Sequence, residues 1–287
     1  MWIIYALLTA LFLATSDALT KHVLVSKDEY FVAWARLLFA LPILLITLFF
    51  IRWPLLNGTF WIATACALPL EIGAVILYTK ALKVSPISLT IPFLAFTPLF
   101  IILTSYLLLG EKISSRGGAG ILLIAAGSYA LNIHKAKESI YDPIKAIFKE
   151  KGALMMIMVA FLYSFTSTLG KMAIENSSPI FFGSFYFILL TVLFTPIALT
   201  KNKDKIVFTK RDIRALIFIG ISYSLMIIFH MLAMSLTTVA YMISIKRISL
   251  IFSIVYGHIL FKEERMSERL FGGMVMLVGF ALIVLYS

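Results

Sequence analysis

Apolar residues fall in long unbroken runs along this chain, at 3–22, 31–51, 59–82, 86–109, 117–133, 152–172, 179–200, 213–234, 238–261 and 270–286. Each run is near the roughly 20 residues that a helix needs to cross about 30 Å of hydrocarbon. Polar residues gather in the connectors between runs. In hydrocarbon every backbone N–H and C=O must find its partner inside the protein, which leaves only helices and closed barrels. Continuous runs, as opposed to alternating ones, exclude barrel strands. The pattern therefore predicts an all-α membrane protein of about ten transmembrane helices. The first run lacks a basic leading segment, and more membrane-like sequence follows Thr15-Ser16-Asp17. It reads as a retained span, not as a cleaved signal.

Composition agrees. The chain is 61% hydrophobic with a mean hydropathy of +1.01, and only 14% of it is charged, against about 25% in soluble domains. A soluble fold of this size could not hide so much apolar surface. The multi-pass protein is thus expected in a cell membrane, with the lipid bilayer as its solvent. The net charge of +11 does not mark a nucleic-acid surface, because the basic residues sit in the connectors, where they act as orientation signals. Eighteen Lys and Arg fall in or beside the odd-numbered connectors and four in or beside the even ones. That bias places the odd connectors in the cytoplasm and both termini outside. The lone Cys66 permits no intrachain disulfide, and the four His show no zinc spacing, so neither metal nor cofactor is expected.

The longest connector, 134–151, divides the chain into segments 1–133 and 152–287. The segments repeat one another. Ser16-Asp17-Ala18-Leu19-Thr20-Lys21 matches Thr166-Ser167-Thr168-Leu169-Gly170-Lys171 at an offset of about 150, and GEKISSRGGAGILLIAAG from Gly110 matches KEERMSERLFGGMVMLVG from Lys262 at about 152. Glu111 pairs with Glu263, Gly120 with Gly272 and Gly127 with Gly279. An odd number of spans per copy makes the second enter the membrane from the opposite side, so the prediction is two inverted five-helix repeats, with a solute site between them.

These motifs resemble the drug/metabolite transporter superfamily, specifically EamA-type members. The resemblance rests on LLLGEKISSRGGAGILLIAAGSYAL, ILFKEERMSERLFGGMVMLVGFALIVL and AYMISIKRISLIFSIVYGHILFKEE. It implies two five-helix repeats, a transport activity, and a central cavity bounded by runs one to four and six to nine, with runs five and ten outside it. Lys262 stands where the family motif has Gly.

An ionisable residue at bilayer depth costs at least about 2.5–3.5 kcal/mol on insertion scales and is a functional candidate for that reason. Glu71 lies in the middle of run three. It could carry a proton, contact a cationic group, or pair with a buried base. Lys246 and Arg247 lie inside run nine, about 100° apart on a regular helix. Lys246 shares a polar stripe with Ser249 and Ser253, whereas Arg247 falls on an apolar face with Leu250 and Ile254 and is expected to pack against another helix or snorkel. Arg36 reads as a residue snorkelling to the headgroups or as a substrate contact, and His230 as a titrating group or a bond to a neighbouring helix. Asp17–Lys21 and Lys171–Glu175 have the spacing of helical ion pairs. Pro92 and Pro98 kink run four. Trp34, Tyr78, Tyr163, Tyr186, Tyr223 and Tyr241 are wall or interface aromatics.

Together these features predict a secondary transporter for a small polar metabolite, an amino acid or similar zwitterion being favoured, working by alternating access with possible proton coupling. Glu71, Lys246, Arg36, His230, Tyr78 and Tyr223 are the expected substrate-binding residues. The alternatives are a lipid flippase, a membrane scaffold, or an intramembrane enzyme; the chain has no GxSxG, paired-Asp or HExxH motif, and no Walker A motif for ATP. Oligomeric state is not legible. The orientation is testable. A cysteine placed at Lys203 should resist a membrane-impermeant reagent in intact cells, and rapid labelling there would reverse the assignment.

Overall fold

The structure, a computed structural model, describes residues 1–24, 28–84, 91–130, 151–201, 209–261 and 266–286. Every regular element among them is helical: α1 (Trp2–Leu24), α2 (Glu29–Phe50), α3 (Gly58–Val84), a 3-10 helix (Ile91–Phe96) leading into α4 (Thr97–Leu109), α5 (Ser115–Ala130), α6 (Lys151–Glu175), α7 (Pro179–Lys201), α8 (Lys210–Leu236), α9 (Val239–Lys246), α10 (Ser249–Phe261) and α11 (Met266–Tyr286). Seven stretches are long and apolar enough to cross a membrane, with Val239–Tyr256 counted as one across α9 and α10; Phe93–Leu109 and Phe271–Tyr286 are shorter apolar helices. Most of the 134–151 connector, the side chain of Lys21, and residues 262–265 with Glu263 lie outside the described residues.

Local chemistry sets the helix ends. Asp28 caps α2 by accepting from the N–H groups of Tyr30 and Phe31, and Thr209 with Asp212 forms a reciprocal capping box at α8. Gly110 ends α4 with φ 68°, the left-handed conformation that glycine adopts without a Cβ clash.

Lipid tails are as apolar as leucine, so helices in a bilayer associate through close packing and hydrogen bonds, with no hydrophobic drive between them. The buried faces obey that rule. Ala6, Ala10 and Ala14 on α1, Ala63, Ala67, Ala74 and Ala81 on α3, and Ala153 and Ala160 on α6 are all buried. These small side chains let α1 pack along α8 and α3 along α6, two pairs that exchange when the halves are swapped. The outer faces carry exposed Ile46, Phe49, Phe50, Phe271, Met274 and Val278, an apolar girdle that a soluble protein would not display.

The matched glycines of the repeat have a steric reason. They form the crossing of α5 and α11: a Cβ added at Gly127 would lie 2.6 Å from the carbonyl oxygen of Gly272, and one at Gly279 would lie 2.6 Å from that of Gly120. Both close contacts are with rigid backbone. The pair α5–α11 packs mainly on itself, at the edge of the bundle.

Runs four and nine are not single regular helices. Run four is 3-10 over Ile91–Phe96 and becomes α at Thr97, with Pro98 in the first turn. Run nine breaks at Arg247 and Ile248, where the N–H groups bond three residues back, to Ser244 and Ile245. The two interruptions fall at corresponding places in the repeat.

The glycine crossing can be checked by substitution. Gly127→Ala should destabilise the detergent-solubilised protein by the roughly 1–3 kcal/mol typical of overpacking, read as a lower thermal midpoint. Gly273→Ala, with nothing within 4 Å of the added carbon, should not, and equal effects would refute the crossing.

Candidate functional site

The polar side chains at bilayer depth converge inside the bundle. On α1 and α2, Asp17 accepts a bond from Arg36 Nη1 at 2.7 Å, and the Arg36 guanidinium lies 4.0 Å above the ring of Tyr223 on α8. Arg36 therefore turns inward instead of snorkelling, because an acid and an aromatic face from neighbouring helices solvate it better than a distant headgroup. Whether Asp17 also meets Lys21 falls outside the described residues.

Glu71, midway along α3, is in electrostatic range of Thr166 on α6 and of Lys246. Lys246 in turn interacts with Arg247, Glu71, Asp17 and Arg36. No ion pair closes between Glu71 and Lys246 among the described residues. Tyr78 is in electrostatic range of Asp17, Arg36 and Arg247, Tyr163 and Tyr186 of Glu71, and Tyr223 of Arg36 and Glu71. His230 lies in range of Lys246, and its Nδ1 is buried without a hydrogen-bond partner. Glu71, Tyr78, Tyr163, Tyr223, His230, Lys246 and Arg247 are each only partly buried.

Arg247 packs against another helix, one of the two readings its sequence position allowed. The helical wheel put it on an apolar face, but Nη2 donates to Thr97 Oγ1 at 2.9 Å, at the start of α4. A wheel assumes a continuous helix, and the turn at Arg247 and Ile248 cancels that assumption. Two of the named aromatics stay out of the cluster: Trp34 donates to Thr195, and Tyr241 bonds Ser114, in the α4–α5 loop. Sequence reasoning missed Thr97 and Thr166, since a threonine in an apolar run carries no signal until its neighbour is known. A separate groove of about 540 Å³ between α2 and α7, lined by Leu45, Leu48, Phe49, Phe185 and Ile188 among others, offers a polar solute nothing to bond.

A second polar group lies at one end of the bundle. Glu111, in the α4–α5 loop, accepts from the Val239 N–H at 2.9 Å. Thr238 precedes α9 in extended conformation and makes no side-chain cap, so Glu111 caps that helix from the other half of the chain. Lys171 Nζ donates to the carbonyls of Met234 at 2.7 Å and Thr237 at 3.1 Å, and pairs with Glu175 at 3.5 Å. An anion at a helix start and a cation at a helix end are each favoured by the helix dipole. The sequence showed Glu111 only as a repeat marker.

An all-helical chain with an apolar girdle and a buried polar centre is a polytopic membrane protein. The family model for the EamA-like transporter family matches residues 1–133 and 150–285, and the chain belongs to that family, whose members carry small molecules across membranes. Among solved structures, one described only as the crystal structure of a protein superposes with a TM-score of 0.77 over 99% of this chain and 95% of its own, at 15% identity; that likeness shows the fold alone. No curated protein matches the chain.

Burial pushes the Glu111 carboxyl above its usual value, against the opposing pull of the Val239 N–H and Lys171. A raised folded-state value means that Glu111 supports folding fully below the ordinary carboxylate range and loses that support as pH rises through the raised value. Stability measured against pH should therefore fall across that window in the wild type and stay flatter in Glu111→Gln. Glu111→Ala should cost about 0.5–2 kcal/mol, the loss of a helix cap. Matching pH profiles for wild type and Glu111→Gln would refute this account.

Proposed function

We propose that the chain forms ten transmembrane helices in two inverted five-helix repeats and moves a small polar metabolite by alternating access. One observation carries the reading: charged and tyrosine side chains from both halves meet at bilayer depth, on α1, α2 and α3 from one and α6, α7, α8 and α9 from the other. Placing ionisable groups there is costly unless they serve a path for solute. The exchange of α1–α8 with α3–α6 contacts supports two halves that rock about a shared centre.

In this reading Glu71, Lys246, Arg36, His230, Tyr78 and Tyr223 form the substrate site. Glu71 and Lys246 attract one another without closing an ion pair, which leaves room for a solute carrying both charges. A zwitterion such as an amino acid suits that arrangement. Glu71 is then the group that takes up and releases a proton as the halves alternate.

The experiment is uptake and efflux by purified protein in liposomes, across amino acids, nucleosides and organic cations, with and without an imposed pH gradient. Glu71→Gln should abolish pH-driven transport while leaving the protein folded. Lys246→Met should weaken transport of solutes bearing an anionic group and spare neutral ones. Wild-type behaviour from both variants would show that the two residues only hold the helices together.

A further inference from the structure

We infer that Arg247, fixed by Thr97 where the two interrupted runs meet, is the docking site for an oxyanion of the cargo, a carboxylate or phosphate. The inference rests on the reading of the centre as the solute site and names the chemistry that site selects.

The charges of the centre do not cancel. Arg36 is paired with Asp17 at 2.7 Å. Glu71 and Lys246 face one another. Arg247 remains, with no carboxylate in ion-pair contact among the described residues. Its guanidinium donates to a neutral hydroxyl, Thr97 Oγ1, at 2.9 Å, and its Nε is buried without a partner. It also interacts electrostatically with Tyr163, Tyr78 and the like charge of Lys246.

A guanidinium carries five donors in a rigid fork that matches an oxyanion. One of them anchors it here, and another is orphaned in the interior, where an unmade hydrogen bond is expensive. A bound carboxylate or phosphate would meet that donor, offset the excess charge shared with Lys246, and accept from the tyrosine hydroxyls.

Position gives the same answer. Thr97 and Arg247 are 150 residues apart in sequence, close to the repeat offset of about 150, and each stands at the interruption of its own run. The contact thus joins equivalent points of the two halves. A ligand held there remains between the halves whichever side is open.

The test is binding to the purified full chain, read as the rise of its thermal midpoint with probe concentration. The probes are propionate, benzoate, alanine and glycerol phosphate, each beside its amide or its phosphate-free counterpart. At least one oxyanion should stabilise the wild type where its uncharged partner does not; the carboxylate and phosphate arms decide between the two chemistries. Arg247→Gln should weaken that binding roughly 10- to 100-fold, the loss of one or two charge-assisted hydrogen bonds. Arg247→Lys, which keeps the charge and loses the fork, should recover part of it. Thr97→Val removes only the anchor and should give a smaller loss, which keeps the test open if Arg247→Gln fails to fold. The proposal is overturned if no oxyanion binds the wild type, or if binding survives both Arg247→Gln and Thr97→Val. A protein that binds oxyanions through Arg247 yet moves none in liposomes upholds this site and refutes transport.

Discussion

A charge in hydrocarbon must be solvated by the protein itself, and this bundle is arranged around that demand. Asp17, Arg36, Glu71, Lys246 and Arg247 lie on four helices of two halves. Arg36, Glu71, Lys246 and Arg247 each interact with groups brought by another helix. The Arg36 guanidinium has an acid on one side and the Tyr223 ring on the other, and Arg247 has the Thr97 hydroxyl. These partnerships favour helix arrangements that leave no charge stranded in lipid. The buried alanines of α1, α3 and α6 permit that approach; the polar groups decide its register.

The interruptions in runs four and nine answer a related problem. A continuous helix spends its backbone groups on itself and aims successive residues about 100° apart. A short 3-10 stretch changes the aim of the residues beyond it. In run nine it lets adjacent residues, Lys246 and Arg247, both join the polar centre, and in run four it sets Thr97 against Arg247. The Glu111 cap on Val239 holds the far end of α9, the short helix that leads to both cations. That helix is eight residues long and joins a charged clamp at the membrane face to the charges in the middle.

Much of this was legible in the order of residues. Hydrophobic run length settled the class of structure, because the bilayer thickness and the need to satisfy every backbone group leave one solution for a continuous run of that size. The matched glycines and motifs revealed two related halves and identified the family. Glu71, Lys246, Arg36 and His230 stood out because ionisable residues are rare in such runs. What tertiary structure alone decided was who meets whom. The helical wheel put Arg247 on an apolar face, and only the interrupted helix set it against Thr97; Asp17 met Arg36 on a neighbouring helix. Gly120, Gly127, Gly272 and Gly279 read as a repeat signature, and only the crossing of α5 and α11 shows that they let two backbones touch. The physical reason is range. Burial in lipid depends on residues adjacent in sequence, whereas partnership among buried polar groups depends largely on residues far apart in the chain, which only the folded bundle brings together.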